Sequence, residues 1–123
     1  MATLADIELG FREEAHRHRL PVRLVAFADG ELAGTIVLRD RAVPILPESH
    51  PGLGGLFVQS KHRTRGIGTE LVQVGMNVAR EQGYAVVYAA TAVAGGILKS
   101  LGWAVVRGFA HNEEQLTLYR CEL

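Results

Sequence analysis

The sequence lacks several features that mark special classes of protein. It has a single cysteine, Cys121, so it cannot form an internal disulfide, and no Cys/His cluster has the spacing of a metal site. Lysine and arginine together number 13, as do aspartate and glutamate, so the formal net charge is +0. No overall field therefore favours binding to nucleic acid or to an anionic membrane. We expect no metal cofactor and no polyanionic partner.

Long hydrophobic runs are also absent. No apolar segment approaches the roughly 20 residues that cross a bilayer, and the N-terminus lacks the basic and apolar regions of a secretion signal. The 123 residues are 48% hydrophobic, which is enough for one domain with a sizeable core. We therefore expect a single cytoplasmic domain that spans residues 1–123.

A glycine-rich stretch from Arg63 to Thr69, RTRGIGT, lies between an apolar strand and a helical pattern. Because glycine lacks a β-carbon, such a loop can bring its N–H groups close to an anion. The N-terminus of the following helix directs unpaired N–H groups and its positive dipole end to the same point. Arg63 and Arg65 add positive charge. The stretch predicts a phosphate cradle, although a tight turn with glycines for packing alone would share the pattern.

The spacing excludes two better-known phosphate loops. A dinucleotide-binding loop needs a third glycine three residues after Gly68, where this chain has Leu71. A nucleoside-triphosphate loop needs Gly-Lys-Ser/Thr, and the nearest approach, Leu98-Lys99-Ser100, lacks the glycine. What remains is a loop whose amides can hold a pyrophosphate.

The first half of the chain reads as a helix, a hairpin and a long loop. Residues 5–19 have a narrow apolar stripe at helical spacing. Asp29-Gly30 suits a two-residue turn and joins two strands at 22–28 and 31–38. The prolines and glycines of residues 39–55 predict a long surface loop.

The second half predicts a β-α-β unit followed by a hairpin. The helix after the glycine-rich stretch begins at Ile67, buries one stripe and ends at Gly83. The strands before and after it are apolar enough to be parallel neighbours joined by a right-handed crossover. The predicted segments are strands 54–59 and 84–90, a short helix at 94–101, and an antiparallel pair at 103–110 and 115–121.

Three segments, which occur along the chain in the order that the family has them, resemble the GNAT family of N-acetyltransferases. Val58 to Leu71, VQSKHRTRGIGTEL, resembles the family's acetyl-CoA motif: Arg or Gln, two residues, Gly, one residue, Gly or Ala. Leu98 to Trp103, LKSLGW, is similar to a later motif in which a helix ends at Leu-Gly before an aromatic residue. Glu31 to Thr35, ELAGT, is similar to the second strand of the family's hairpin. The matches cover roughly residues 22–121.

The resemblance implies an α/β fold with a mixed, mostly antiparallel sheet flanked by helices. A bulge in the strand that ends near Val58 would splay a central parallel pair, and the pantetheine arm of acetyl-CoA would lie in the opening like an extra strand. Main-chain groups would pair with pantetheine, and the glycine-rich loop would hold the pyrophosphate. The implied binding residues are Phe57, Val58, Gln59, Arg63, Arg65, Gly66, Ile67, Gly68 and Thr69.

The implied reaction is direct attack of a primary amine, from a small molecule or a protein, on the thioester. A base removes a proton and an N–H near Val58 stabilises the oxyanion. Where the family has a tyrosine that protonates the thiolate, this chain has Leu98, so Tyr88 is the candidate substitute. The strand also lacks the family's glutamate, which leaves Glu48 and His50 as candidates for the base.

Two departures from the family leave an alternative open. Leu98 and the short segment before the hairpin also fit a non-catalytic module that binds acyl-CoA as a sensor. Residues 1–21 have room for one helix but not for the strand and two helices that the family places before the hairpin. We therefore expect the acceptor side to be open, or completed by a second subunit in a homodimer. Its variable walls would be residues 39–53, the N-terminal helix and residues 111–114.

Overall fold

The computed structural model describes residues 9–14, 20–63 and 66–123, and these form a seven-stranded sheet with two α-helices. The strand order is β1-β2-β3-β4-β5-β7-β6, and every described pair is antiparallel except β4 and β5. This confirms the mixed sheet with a central parallel pair. The elements are β1 (Leu9–Glu14), β2 (Val22–Ala28), β3 (Glu31–Arg39), β4 (Gly52–Val58), α1 (Ile67–Glu81), β5 (Val86–Thr91), α2 (Gly95–Ser100), β6 (Ala104–His111) and β7 (Glu114–Glu122).

The predicted N-terminal helix is wrong where the structure describes it. Residues 9–14 form β1, which pairs antiparallel with β2, so the family's first strand does fit in front of the hairpin. The edge of β2 offers backbone partners, and Gly10 weakens a helix, so pairing outweighs a narrow helical stripe. Across this pair the Arg12 guanidinium lies 5.0 Å from the centre of the Phe27 ring. The rest of the predicted helix, residues 5–8 and 15–19, lies outside the described residues.

The two predicted hairpins are confirmed. β2 and β3 are joined at Asp29 and Gly30, whose φ angles are 52° and 81°. β6 and β7 are joined by a turn at Asn112 and Glu113, which is shorter than the predicted connection over residues 111–114.

The strand β4 contains the bulge that the resemblance implied. Val37 of β3 faces Gly54, but Thr35 faces Phe57, so two steps on β3 match three on β4. Gly55 takes up the extra residue with φ of 65°, a left-handed conformation that glycine adopts without strain. The parallel contact with β5 is recorded at the single pair Gly52 and Tyr88, and beyond it the structure describes no further pairing. The sheet is therefore splayed between β4 and β5. β4 also begins at Gly52, before the predicted start at residue 54.

The helix α1 packs its apolar stripe on one face of the sheet. Ile67, Leu71 and Val72 are almost fully buried there against side chains of β2, β3 and β4. The helix ends as predicted: Gly83 has φ of 91°, its N–H donates to the Arg80 carbonyl, and the Tyr84 N–H donates to the Ala79 carbonyl. The helix is thus packed over β2, β3 and β4.

The loop at residues 40–51 covers the opposite face of the sheet. Ala42 and Val43 are buried with Leu118 in a second, smaller apolar cluster. Ser49 is fully buried, and its Oγ accepts from the Val43 N–H at 3.2 Å and donates to the Leu46 carbonyl at 2.6 Å. The predicted surface loop is therefore partly core, because a buried hydroxyl satisfies backbone groups that water would otherwise serve.

Candidate functional site

The splay between β4 and β5 opens a cleft of about 570 Å³, called the central cleft below. Its side chains come from both faces of the sheet. Ile36, Leu53, Val72 and Leu98 belong to the main core on the α1 face. Strand alternation places Arg39, His111 and Glu114 on the opposite face, since they share the faces of Val37 and Leu118. The central cleft therefore passes through the sheet.

A second cleft, of about 470 Å³, lies beside the glycine-rich loop and is called the glycine-loop cleft. It shares Leu56 with the central cleft, so the two adjoin. Most of the predicted cofactor residues meet there: its lining consists of Leu56, Phe57, Val58, His62, Arg63, Gly66, Ile67, Gly68, Thr69 and Ile97. Gln59 is outside this lining, and Arg65 lies outside the described residues.

The N-terminus of α1 faces the glycine-loop cleft with its backbone donors. Gly66 is the N-cap residue, with φ of 82° and ψ of 6°, and no described side chain caps the helix. Its carbonyl accepts the first helical hydrogen bond, from the Glu70 N–H at 3.1 Å. The N–H groups of Ile67, Gly68 and Thr69 have no partner within an α-helix, so they are directed toward the cleft. This geometry suits an anion.

Backbone alternation directs the peptide groups of Val58 into the splay. The Gln59 N–H donates to the Ala33 carbonyl on β3 at 2.7 Å, so its neighbour Val58 points its own N–H and C=O away from β3. The Arg63 Nε donates to that Val58 carbonyl at 3.0 Å. Arg63 thus folds the loop back onto the end of β4, and the Val58 N–H points to the opening.

The basic residues that precede the loop are anchored to the β2–β3 hairpin. Lys61 forms an ion pair with Glu31, and its hydrogen bond and charge lower the pKa of the Glu31 carboxyl. His62 is buried beside them, with its Nε2 3.6 Å from Glu31 Oε2. The segment that leads into the loop is therefore held in two places, by Glu31 and by the carbonyl of Val58.

Two of the proposed catalytic residues precede β4. Glu48 accepts a hydrogen bond from Arg107 at 3.0 Å, and its own backbone N–H together with Arg107 lowers the pKa of its carboxyl. His50 Nδ1 lies 2.7 Å from the Asp40 carbonyl oxygen, and its ring packs edge-on against Tyr84. Neither side chain lines the central or the glycine-loop cleft.

Tyr88, the proposed acid, lies on β5 and also outside the two clefts. Its ring packs in the cluster under the loop at residues 40–51, and its phenol forms a hydrogen bond that raises the pKa of Arg120. Leu98, by contrast, lines the central cleft and is 3% exposed.

Three ionisable residues of the central cleft were not named individually as site residues: Arg39, His111 and Glu114. They come from the end of β3 and from the β6–β7 hairpin, and all three lie within the segments predicted as variable walls, residues 39–53 and 111–114. No motif marks them, because their proximity arises from the topology alone.

Two general properties bear on the chemistry. Within residues 9–14, 20–63 and 66–123, no group of three or more His, Cys, Asp or Glu side chains is placed to hold a metal ion. No helix in the same part of the chain has the length and apolar character to cross a membrane.

Solved structures with the same architecture include three bacterial proteins. yncA of Salmonella typhimurium, solved with its cofactor acetyl-CoA, superposes with a TM-score of 0.68 at 20% identity over 83% of this chain and 64% of that one. A GNAT acetyltransferase of Streptococcus pneumoniae gives 0.70 at 14% identity, over 89% and 69%. One from Elizabethkingia anophelis, with acetyl-CoA bound, gives 0.70 at 13% identity, over 94% and 98%. These likenesses establish the fold, and the chain spans less than two thirds of yncA.

The sequence itself matches a family model. No curated protein matches the chain. The model of the acetyltransferase (GNAT) family, however, matches residues 3–97, which include the splayed strand, the glycine-rich loop and the first turn of α2. The protein therefore belongs to the GNAT family of acetyltransferases.

Proposed function

We propose that the protein, as a single acyl-CoA N-acyltransferase-like domain over residues 1–123, transfers the acetyl group of acetyl-CoA to a primary amine. One observation carries the proposal: the anion-binding end of α1 and the splay between β4 and β5 adjoin at Leu56. A cofactor with a pyrophosphate at one end and a thioester at the other can span the two clefts. Bound acetyl-CoA in yncA and in the Elizabethkingia protein supports acetyl-CoA as the ligand.

Different residues bind different parts of the cofactor. Main-chain N–H groups from Gly66 to Thr69 bind the pyrophosphate, and Arg63 and Arg65 supply charge beside it. Pantetheine lies along Phe57, Val58 and Gln59. The Val58 N–H, which points into the splay, stabilises the oxyanion as the amine attacks.

The reaction needs one base and no metal. The amine nitrogen forms a bond to the carbonyl carbon and loses a proton, the carbon–sulfur bond breaks, and the sulfur leaves as the thiolate of CoA. A thiolate whose pKa is about 8.5 leaves without a strong acid, so Leu98 is compatible with turnover. Glu114 and His111 line the central cleft and are better placed to take the proton than Glu48 or His50.

A thermal shift combined with a thiol-release assay tests the proposal. Acetyl-CoA at about 100 times its dissociation constant should raise the free energy of unfolding by ~2.7 kcal/mol. Release of free CoA thiol that depends on an added amine should accompany this shift. A shift without release across a broad amine panel would favour the acyl-CoA sensor, and no shift would contradict both functions.

The cytoplasmic location and the homodimer also remain proposals. β1 and β6 are the edges of the described sheet, and Val105 and Val106 on β6 are about half exposed. A second subunit could pair with either edge. Sedimentation at micromolar concentration measures this directly, and a strict monomer would exclude the dimer.

A further inference from the structure

The charges on the acceptor side of the central cleft identify a class of acceptor. We propose that the acceptor is a small α-amino acid, whose carboxylate is bound by Arg39 and whose ammonium group is bound by Glu114. This inference rests on the proposed acetyl transfer and names the substrate of that same site.

Arg39 is held flat against the bulged strand. Its Nη2 donates to the Ala42 carbonyl at 3.1 Å. A β-carbon on Gly54 would lie 2.5 Å from Nη2 and 2.8 Å from Cζ of Arg39, so glycine at this position lets the guanidinium lie directly against the strand. The side chain is thereby positioned beside the bulge at Gly55, where β4 and β5 separate. A guanidinium offers five donors in a planar fork, and this fork matches a carboxylate.

Glu114 lies across the cleft, at the start of β7, opposite His111 in the hairpin register. Among the described residues the side chain of Glu114 has no hydrogen bond or ion pair, and the guanidinium of Arg39 has no acidic partner. Three other exposed acids of the described residues do have a basic partner: Glu31 with Lys61, Glu48 with Arg107, and Glu122 with Arg120. The central cleft therefore presents one cation and one anion whose side chains have no oppositely charged partner among the described residues.

This pair of charges selects among amines. A diamine or polyamine would place a second cation near Arg39, which like-charge repulsion disfavours. A peptide N-terminus has no carboxylate next to its amine. An α-amino acid carries both charges, and its side chain would meet the apolar wall of Ala42, Val43 and Leu116. Both partners lie on the face opposite α1, so the amine reaches the thioester through the splay while the cofactor occupies the other side.

The step balances without a further reactant. The bound ammonium group loses one proton to become the nucleophile, its nitrogen forms the bond to the acetyl carbon, and a second nitrogen proton is lost as the carbon–sulfur bond breaks. The thiolate takes up one of these protons. The products are the N-acetyl amino acid, CoA thiol and one released proton, and the carboxylate on Arg39 is unchanged.

The test compares the common amino acids with their carboxamides and with the corresponding decarboxylated amines in the thiol-release assay. We expect at least one amino acid to exceed its carboxamide by about ten- to hundred-fold in kcat/KM, the range of a charge-assisted hydrogen bond. Arg39→Gln should raise KM for that amino acid by a similar factor and abolish the preference, while Arg39→Lys restores part of it. Arg41→Gln is the matched control, since Arg41 pairs with Asp40 and the Pro44 carbonyl and should leave both values unchanged.

Glu114→Gln tests the role of the anion independently of Arg39. It should lower kcat/KM for an amino acid and for its carboxamide by the same factor, because both carry the ammonium group. Equal rates for acids and carboxamides, a preference for diamines, or an Arg39→Gln protein with unchanged KM would each overturn the inference. The acetyl-CoA thermal shift keeps this outcome apart from the proposed function: its loss in the wild-type protein contradicts acetyl transfer itself, whereas its presence with no carboxylate preference contradicts only the acceptor.

Discussion

The cofactor side and the acceptor side of the splay are built from different parts of the chain. The glycine-loop cleft uses backbone donors and comes mostly from one continuous segment, residues 56–69. The acceptor side of the central cleft uses side chains, and these come from β3, the loop at residues 40–51 and the β6–β7 hairpin. Backbone recognition constrains the spacing of glycines, so it leaves a motif. Side-chain recognition across distant segments leaves none, and for that reason it can vary while the cofactor stays the same.

The largest expected effect comes from the backbone at the cofactor side. Gly66→Val forces a β-branched residue into a left-handed conformation at φ of 82°, which displaces the N–H groups of α1. We expect the acetyl-CoA thermal shift and all acetyl transfer to be lost. Gly83→Val is the matched control, because Gly83 has φ of 91° at the other end of α1. It should lower stability by about 1–2 kcal/mol yet keep the thermal shift. Retained cofactor binding by Gly66→Val would place the pyrophosphate elsewhere.

The two apolar clusters should respond differently to truncation. Leu71 of α1 and Leu118 of β7 are both fully buried, but Leu118 lies in the smaller cluster under the loop. Each change to alanine should cost about 2–5 kcal/mol in urea unfolding, with Leu71→Ala at the upper end. Leu118→Ala should also raise KM for the acceptor and leave acetyl-CoA affinity unchanged. A loss of cofactor affinity in Leu118→Ala would mean that the two sides are coupled.

A substitution in the bulge should have a smaller effect on stability. Gly55 has φ of 65°, and a β-carbon there would meet Val37 Cγ2 at an ordinary 3.7 Å, so Gly55→Ala changes backbone strain without a clash. We expect a loss of about 1–2 kcal/mol in thermal unfolding. Gly96→Ala in α2, where an added β-carbon meets nothing within 4 Å, should instead stabilise by about 0.4–1 kcal/mol. If both variants change the free energy of unfolding in the same direction, the bulge is not strained by a side chain at position 55.

The smallest effect concerns the contact between the acceptor-side loop and β6. The pKa of Glu48 is lowered in the folded state by its own backbone N–H and by Arg107. A lowered folded-state pKa stabilises the protein above the ordinary carboxyl pKa, and this contribution is lost as the pH falls through the lowered value. Glu48→Gln should therefore slightly reduce the melting temperature at neutral pH and flatten its decline in acid. Glu113→Gln, in the β6–β7 turn, should retain the wild-type profile.

The sequence predicts the parts of this fold in which neighbours along the chain are also neighbours in space. The hairpin at Asp29 and Gly30 and the helix from Ile67 to Gly83 follow from local turn and capping chemistry. β1 was mistaken for a helix because its conformation depends on the edge of β2.

The two sides of the candidate site likewise differ in how far the sequence predicts them. The cofactor residues from Phe57 to Thr69 could be proposed from spacing and family resemblance. Arg39 and Glu114 could be placed only within the predicted walls at residues 39–53 and 111–114, because they are 75 positions apart in the numbering (114 − 39) and line one cleft only when β3 and β7 take their places in one sheet.

The extra residue at Gly55 also sets which way the end of β4 faces. Leu53 packs toward α1, and an uninterrupted strand would place Phe57 on that same side. The offset instead turns Leu56 and Val58 toward the core and leaves Phe57 53% exposed. The count of residues between Leu53 and Val58 therefore determines which peptide N–H points into the splay. A one-residue deletion there would move the side chains at the end of β4 to the opposite face of the sheet. The loop at residues 40–51 has no such alternation of faces, so its length is not constrained in this way.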